Sequence, residues 1–318
     1  MTVRIGVLGG SGYTGRELLR ILARHEGVEV TFATSRSAVG DPTPIPRLRF
    51  TEADLERAED LDALFLCLPH GAAAEWVQAL PEGPRIIDLT ADHRPGSGRE
   101  SAAVYGLAEL NADEVAGARL VANPGCYPTG VIGALRPLLD EELVDRDRLV
   151  VVNAASGVTG AGRTPRTDLL FAEVEANFRA YGEGNRHRHL REMRALLEGT
   201  SLLFQPHLLP VSRGILETII VPVPEGVGPE AIRAAWEERY GTEGAVRVRE
   251  RRLPELRDVV GTDLLALGAA AVDGIDPPVV TVVAALDNLG KGAAGQAVQN
   301  FNRMFGLPAN QALRLSPP

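Results

Sequence analysis

At 318 residues the chain has the length of two domains of roughly 150 residues each, and its composition, 45% hydrophobic and 24% charged, excludes a largely disordered polymer. The net charge of −9 speaks against nucleic acid or an anionic membrane surface as a partner, since both need a basic face. No stretch approaches the roughly 20 apolar residues that span a bilayer. The opening MTVRIGVLGG has too short an apolar run for a secretory signal, so a cytoplasmic location is expected. Two cysteines, Cys67 and Cys126, cannot build a disulfide scaffold or a zinc site; both are expected as free thiols, and no metal is expected.

Val3–Leu8 predicts a first strand, and Thr14–Arg24 a helix with Leu18, Leu19, Ile21 and Leu22 at helical spacing. Val28–Thr34 predicts a second strand, followed by a turn-rich surface loop over Thr34–Arg49. Leu61–Leu68 is a continuous apolar run stopped by Pro69, as in a strand buried on both faces. Gly71–Leu80 reads as a helix, and Arg85–Leu89 and Arg119–Ala122 as further strands. Strands and helices that alternate in this way imply right-handed crossovers and a parallel, doubly wound sheet. From Leu149–Asn153 onward the β runs lengthen and the helices thin out: Leu216–Pro222, Ala245–Arg249, Leu264–Val272 and Val279–Leu286. That change predicts a mixed or antiparallel sheet in a second domain. A final helix, Ala294–Phe305, sets Ala297, Val298, Phe301 and Met304 on one face and is expected to dock back on the first domain.

Gly6, Gly9, Gly12 and Gly15 recur every third residue between the first strand and the first helix. Gly9 and Gly12 would let the backbone turn tightly against a pyrophosphate, and Gly15 would let helix and strand pack closely, with the phosphates on the helix N-terminus. An NAD site usually carries a carboxylate at the end of the second strand; here the chain reads Ala33-Thr34-Ser35-Arg36. Ser35 and Arg36 suit a 2′-phosphate, so the expected cofactor is NADP(H).

Cys67, inside LFLCLP, reads as a core thiol, its pKa raised by burial. Cys126 lies in NPGCYPTG after a predicted strand and before the helical pattern Val131–Leu139. Pro128 suits the first turn of that helix, which puts Cys126 at its N-terminal end, where the dipole favours a thiolate. A nucleophilic thiol needs a proton acceptor, near neutral pH usually a histidine. Of the six, His25 reads as solvent-facing in the first helix, and His70 in Pro69-His70-Gly71 as lining the cofactor crevice. His187 and His189 form a cationic cluster with Arg186 and Arg188. His207 stands in a rigid, proline-bounded turn leading into a strand. Spacing alone leaves the choice of base among the six open.

GVLGGSGYTGREL, LPHG, DLTADHR, YGLAEL, NPGCYPTG, SGVTGAGR, HRHLRE, PHLLPVSRGILET and LDNLGKGAAGQAVQNFN together, in order and over essentially the whole chain, resemble the shorter-chain N-acetyl-γ-glutamyl-phosphate reductases of arginine biosynthesis, in the superfamily of aspartate-semialdehyde dehydrogenase. The resemblance implies Cys126 as nucleophile, His207 as general acid/base, and an acyl phosphate reduced to a semialdehyde through a cysteine thioester. It implies NADP contacts from Gly9, Ser11, Gly12, Tyr13, Thr14, Gly15, Ser35, Arg36, Pro69 and His70. It sets the loop Ser156–Arg163 beside the cysteine, with Ser156, Gly157 and Asn288 toward the cofactor, and substrate anchors at Arg188, His189, Glu192 and Arg213. The stretch before Tyr105 is shorter than in many members. The expected α/β fold is a Rossmann-like, doubly wound parallel sheet plus an α+β catalytic and dimerisation domain with a mixed sheet, the C-terminal helix returning to the first domain. The expected ranges are 1–126 with 291–318 for the NADP-binding domain and 127–290 for the second. Expected partners are the small acyl phosphate, inorganic phosphate and further copies of the chain as a dimer or tetramer. Three other readings run alongside. Two are reductases, one acting on a carrier-protein-linked aminoadipyl or glutamyl phosphate, the other an aspartate-semialdehyde dehydrogenase. The intact Tyr-Pro-Thr-Gly and SGVTGAGR segments disfavour the first, and the sequence around His207 disfavours the second. The last is a nucleotide-sensing regulator without chemistry, against which Cys126 and His207 together speak.

Overall fold

A computed structural model describes residues 2–80, 83–241 and 244–317, with Glu59 described in its backbone alone. Met1, Pro81, Glu82, Thr242, Glu243 and Pro318, which the expected domain ranges include, lie outside the described residues. The chain divides into two compact units, Met1–Gly125 with Ala293–Leu313, and Cys126–Gly292 with Arg314–Pro318. Among the described residues no helix is long and apolar enough to cross a membrane.

In the first unit the elements run β1 (Val3–Leu8), α1 (Tyr13–Leu22), β2 (Val28–Thr34), β3 (Phe50–Thr51), α2 (Leu55–Glu59), β4 (Ala63–Leu66), α3 (Ala73–Ala79), β5 (Arg85–Asp88), β6 (Val104–Tyr105), α4 (Ala112–Gly117) and β7 (Leu120–Ala122). Among the described residues they form a seven-stranded sheet in the order β3-β2-β1-β4-β5-β7-β6, parallel throughout. Ile5, Val7 and Leu8 of β1 and all four residues of β4 are buried, as central strands covered on both faces must be. The strand order reverses between β1 and β4, the switch point at which such sheets bind ligands.

The second unit holds α5 (Cys126–Asp140), β8 (Val150–Gly157), α6 (Phe171–Val174), β9 (Arg179–Ala180), α7 (His189–Leu196), β10 (Leu202–Leu209), β11 (Ile215–Pro222), α8 (Pro229–Tyr240), β12 (Val246–Arg249), β13 (Leu265–Ala271) and β14 (Val279–Leu286). Its mixed sheet has the order β12-β13-β14-β11-β8-β10-β9. One face is closed by α5 and α8, which are tied together by Trp236 Nε1–H to Ala134 O (2.8 Å) and Tyr240 Oη to Gly133 O (2.6 Å). Burial alternates throughout β10 and along β8 and β11 up to their last residue, the period of a sheet covered on one side.

The expected elements hold with shifted ends, and four readings change. Residues 202–209 form a strand rather than a proline-bounded turn. Pro206 fits because Gln205 Nε2 donates to Tyr181 O (3.1 Å), supplying toward β9 the donor that proline lacks; Tyr181 N–H meets Pro206 O (3.0 Å). His25 is buried, not solvent-facing. It lies past the end of α1, with Nε2 on Asn302 Oδ1 (2.8 Å) and Nδ1 accepting from Gly27 N–H (3.1 Å). α9 (Gly295–Met304) belongs to the first unit, with Phe301 against Phe65 at 5.6 Å and His25 at 5.8 Å. The last residues instead join the second unit. Arg314 N–H donates to Asp263 Oδ2 (2.9 Å), Asp263 N–H donates to Arg314 O (2.8 Å), and Leu315 packs with Val259 and Leu264. Cys126 likewise opens the second unit rather than closing the first.

Within the first unit, the fully buried Asn300 of α9 donates from Nδ2 to Gly106 O (2.8 Å) and Asn123 Oδ1 (3.0 Å). Asn300→Ala strands both acceptors and is expected to cost about 2–4 kcal/mol, read as a lowered urea midpoint at unchanged slope.

Candidate active site

In the first unit, Gly9 (φ +79°) leads the turn after β1, a conformation that glycine adopts freely. A Cβ there would strike Cys67 O, and one at Gly15 would come 2.6 Å from Gly9 O and 2.7 Å from Gly10 Cα. A Cβ at Gly12, the N-cap of α1, would meet only Gly9 O, at 3.8 Å. Gly9 and Gly15 are therefore fixed by packing, while Gly12 leaves open ground at a helix N-terminus, the cradle a pyrophosphate needs. Tyr13 is exposed and Thr14 half-buried. Ser35 is buried: its Oγ accepts from Ser37 N–H (3.2 Å) and Ala38 N–H (3.0 Å) and meets Ser11 Oγ at 2.8 Å. It thus joins the glycine turn to the loop after β2, and exposed Arg36 stands on that loop. Pro69 and His70 are exposed after β4, with His70 Nδ1 accepting from Ala91 N–H (2.9 Å).

The segment DLTADHR is a set of loop fasteners. Fully buried Asp88 accepts from Thr90 N–H (2.7 Å) and Thr90 Oγ1 (3.1 Å), and its Oδ2 lies 2.7 Å from His93 Nδ1. Asp92 caps α3 from a distance through the N–H groups of Gly71 (2.6 Å), Ala73 (2.9 Å) and Ala74 (3.3 Å). Burial alone would raise its pKa, but those three donors and His93 together hold it below the usual carboxylate value. Arg94 donates to Asn123 O (2.7 Å), Leu89 O (3.0 Å) and Pro124 O (3.3 Å), which fixes the chain leading to residue 126. Burial and then Asp88 push the Cys67 thiol up to about 12, so this sulfur stays protonated.

In the second unit, Cys126 is the first residue of α5 and half-buried. A Cβ at Gly292 would lie 3.0 Å from Cys126 Cβ and 2.9 Å from Leu286 Cδ1. A Cβ at Gly130, one turn on, would come 2.8 Å from Glu217 Cδ. Beside the sulfur-bearing residue, buried Tyr127 meets Tyr181 Oη at 3.0 Å. Its ring stands edge-on to His187 (5.5 Å), His189 (5.9 Å) and Phe204 (5.2 Å). Burial, then Tyr181, then Cys126 drive the Tyr127 hydroxyl well above its ordinary pKa against a lowering hydrogen bond from Ser156. Burial, assisted by Arg188, lowers His187 to about 4, so it is neutral at pH 7 and the cluster is less cationic than the sequence suggests. Its Nδ1 accepts from His189 N–H (3.2 Å), which leaves the proton on Nε2.

His207 is elsewhere. Phe204 packs on Tyr127 and so marks the α5 face of β10; His207, three residues on, has the opposite parity. Its register partners Ala155 and, across β8, Leu216 belong to the outward face. There His207 stacks on Phe178 (5.1 Å, 20°). The structure does not bring it to Tyr127.

The remaining expected residues divide between holding loops and facing solvent. Asn288 accepts from Gly214 N–H at Oδ1 (2.8 Å) and donates from Nδ2 to Thr159 Oγ1 (2.9 Å). Gly157 lets its strand end approach the 212–213 backbone; a Cβ there would stand 2.8 Å from Arg213 N. Ser156 is buried on the α5 face. Arg213 Nε lies 3.1 and 2.9 Å from the two oxygens of fully buried Asp287. Asp287 also accepts from Gly261 (2.7 Å), Leu289 (2.9 Å) and Gly290 (3.2 Å) N–H. On α7, His189 and Glu192 are buried, while Arg188 at its start is exposed.

Two family models match in sequence order: the NAD-binding domain of semialdehyde dehydrogenases over residues 4–118 and their dimerisation domain over residues 126–288. The N-acetyl-gamma-glutamyl-phosphate reductase of Geobacter sp. strain M21 is 43% identical over 99% of both chains, and that of Akkermansia muciniphila 40% identical over 98% of both. The chain belongs to the N-acetyl-gamma-glutamyl-phosphate reductase branch of the semialdehyde dehydrogenase family. Its fold is shared with aspartate semialdehyde dehydrogenase II of Vibrio cholerae (TM-score 0.78, 18% identity, 96% of this chain and 99% of that one) and with a probable aspartate-semialdehyde dehydrogenase of Pseudomonas aeruginosa (TM-score 0.76, 21% identity, the same coverage). Membership makes the first unit a dinucleotide-binding domain, as the open ground at Gly12 independently indicates.

One buried acid in this family member was not foreseen from sequence. Glu217 of β11 is fully buried against Gly130, and neither of its carboxyl oxygens has a hydrogen-bond partner among the described residues. Burial raises its pKa well above the ordinary value. In the unfolded chain it ionises near pH 4.5 while in the folded chain it keeps its proton, so its contribution to stability falls as pH rises above 4.5. Glu217→Gln is expected to lose that slope: its thermal midpoint should gain on the unsubstituted protein steadily from pH 5 to pH 8.

Proposed function

We propose that the chain reduces N-acetyl-γ-glutamyl phosphate to N-acetylglutamate 5-semialdehyde, with release of phosphate, using NADPH. One observation carries the reading: Cys126 opens α5 with the Gly292 backbone packed closely against it, in a chain 43% identical over nearly its whole length to a reductase of that name.

A γ-acyl phosphate is already activated, so the protein's task is to intercept it before water does. The helix N-terminus stabilises the Cys126 thiolate, which attacks the acyl carbon; phosphate leaves with the electron pair of the broken C–O bond, and a thioester remains on the sulfur. The first unit would hold NADPH, which when bound would supply a hydride to the acyl carbon of this thioester. Backbone N–H groups of the first turn of α5 would stabilise the oxyanion of the resulting thiohemiacetal. Neutral His187 donates from Nε2, and proton exchange falls to the His187–His189 pair, which adjoins Tyr127, instead of to His207. Collapse of the thiohemiacetal, its hydroxyl proton returning to that pair, expels the thiolate and frees the semialdehyde. Exposed Arg188, and Arg213 as oriented by Asp287, supply positive charge to the substrate's phosphate and carboxylate.

For the cofactor, Gly9, Ser11, Gly12, Tyr13, Thr14 and Gly15 would hold the pyrophosphate side. Arg36, exposed beyond a strand end that carries no carboxylate, would meet the 2′-phosphate. The outward face of the second sheet, with Leu149 51% and Leu203 37% exposed, is our choice for the contact between copies in a homodimer or tetramer. His207 lies on it. The activity fits a cytoplasmic location.

Three measurements test these assignments. NADPH oxidation should be seen with N-acetyl-γ-glutamyl phosphate and fall at least a hundredfold with aspartyl phosphate or a carrier-linked aminoadipyl phosphate; Cys126→Ser should abolish it while NADPH still binds, and retained turnover would remove the covalent route. Arg36→Ala should raise KM for NADPH by about 10- to 100-fold, the worth of a charged hydrogen bond, and leave KM for NADH nearly unchanged. His189→Asn should lower kcat by about 100-fold or more, the size of lost acid–base catalysis, whereas His207→Asn should keep kcat within a few-fold; the reverse ranking would return the proton to His207.

A further inference from the structure

All but one of the chain's 33 Lys and Arg residues are arginines; the exception is Lys291. It is also fully buried, at 0% exposure. Lysine here puts a compact charge where every other basic position of the chain has a guanidinium. Arginine presents a planar, five-donor fork, whereas lysine presents a compact point charge on a flexible stem.

The backbone on either side of Lys291 is tightly packed. Lys291 lies in the π-helical turn Gly290–Ala294, a geometry rare in proteins and frequent at functional sites. It has a glycine on each side. A Cβ at Gly290 would strike Thr262 O and come 3.2 Å from Asp263 Oδ1, and one at Gly292 would press on Cys126 Cβ and Leu286. Gly292 N–H donates to Asp287 O (2.9 Å), locking the turn against the end of β14. The backbone carrying the chain's one ammonium therefore runs directly beside the residue that bears the sulfur.

We propose that Lys291 is a positioning residue for the Cys126 nucleophile, its buried ammonium favouring the ionised form of the thiol. The inference rests on Cys126 being the nucleophile. Titratable and charged groups on several elements face α5 and the turn that carries Lys291. On β11, Glu217 keeps its proton at neutral pH. After β14, Asp287 is bound by Arg213 and three N–H groups. Before β13, Asp263 accepts from Arg314 N–H. On α5 and after β9, Tyr127 and Tyr181 hold their protons above their ordinary pKa. Ahead of α7, His187 is neutral at pH 7, and Arg188 and His189 at its start add no negative charge. A buried cation is screened far less than a surface one, and it adds to the dipole of α5.

A single lysine makes the test direct. Protein labelled with ζ-15N-lysine gives one side-chain ammonium signal. Its shift should titrate between pH 6 and 10 with the midpoint found for iodoacetamide alkylation of Cys126, and that step should vanish in Cys126→Ser. A signal indifferent to Cys126→Ser would overturn the proposal without any change at Lys291. In Lys291→Met, which keeps the stem and removes the charge, the alkylation midpoint of Cys126 should rise by at least one pH unit, with about a tenfold slower reaction at pH 7. An unchanged midpoint would also overturn it. If Cys126→Ser keeps its turnover, the nucleophile reading has failed; if that turnover is lost and the Cys126 midpoint ignores Lys291, this inference alone has failed.

Discussion

The proposed chemistry depends on α5 beginning at a cysteine against which only a glycine backbone can pack so closely. A thiol at the first residue of a helix faces unpaired N–H groups and the positive end of the dipole, so its ionised form is favoured where burial would otherwise suppress it. Cys67 shows the alternative: burial and a nearby Asp88 drive its thiol to about 12. Gly292 and Gly130 allow the approaches that surround α5's first turn, since a methyl group at either would press on Cys126 Cβ or on the Glu217 carboxyl. On the preceding side, the first unit holds residues 123 and 124 through Arg94, Asn300 and the Asn123 side chain. The residues around the sulfur are thus arranged as much to exclude side chains as to supply them.

Much of the buried polarity serves this geometry. Asp88, Asp92 and Arg94 in the first unit, and Asp287 and Asn288 in the second, spend their hydrogen bonds on backbone groups of loops. A buried carboxylate accepting several N–H bonds is inexpensive, because it replaces water with fixed donors. Glu217 breaks this pattern. With no partner among the described residues, it escapes the cost of a buried charge by staying protonated, and so brings no negative charge to the α5 face.

The second sheet sorts residues by parity. Phe204, Ala154 and Glu217 fall on the α5 face; Leu203, Asn153 and His207 on the other. This separates two histidine settings that are alike as sequence: His187 and His189 gather around Tyr127, while His207 stacks on Phe178.

The sequence alone determined the doubly wound first unit, because alternating apolar runs and a glycine turn are local signals of strand, turn and helix. It also determined the place of Cys126, since Pro128 and the apolar pattern behind it mark a helix start, and it separated that sulfur from Cys67 by the character of the neighbours. The family was legible because nine short segments fall in order along the chain. Tertiary structure decided whatever rests on pairing between distant residues. That β10 runs through Pro206 depends on Gln205 and on the short strand β9; that His25 is buried depends on Asn302, 277 positions away. Which histidine adjoins Tyr127 depends on strand parity, which a misread strand leaves undefined. The isolation of Glu217 and the depth of Lys291 have no local signature at all, because burial is a property of what packs against a residue and not of the residue itself.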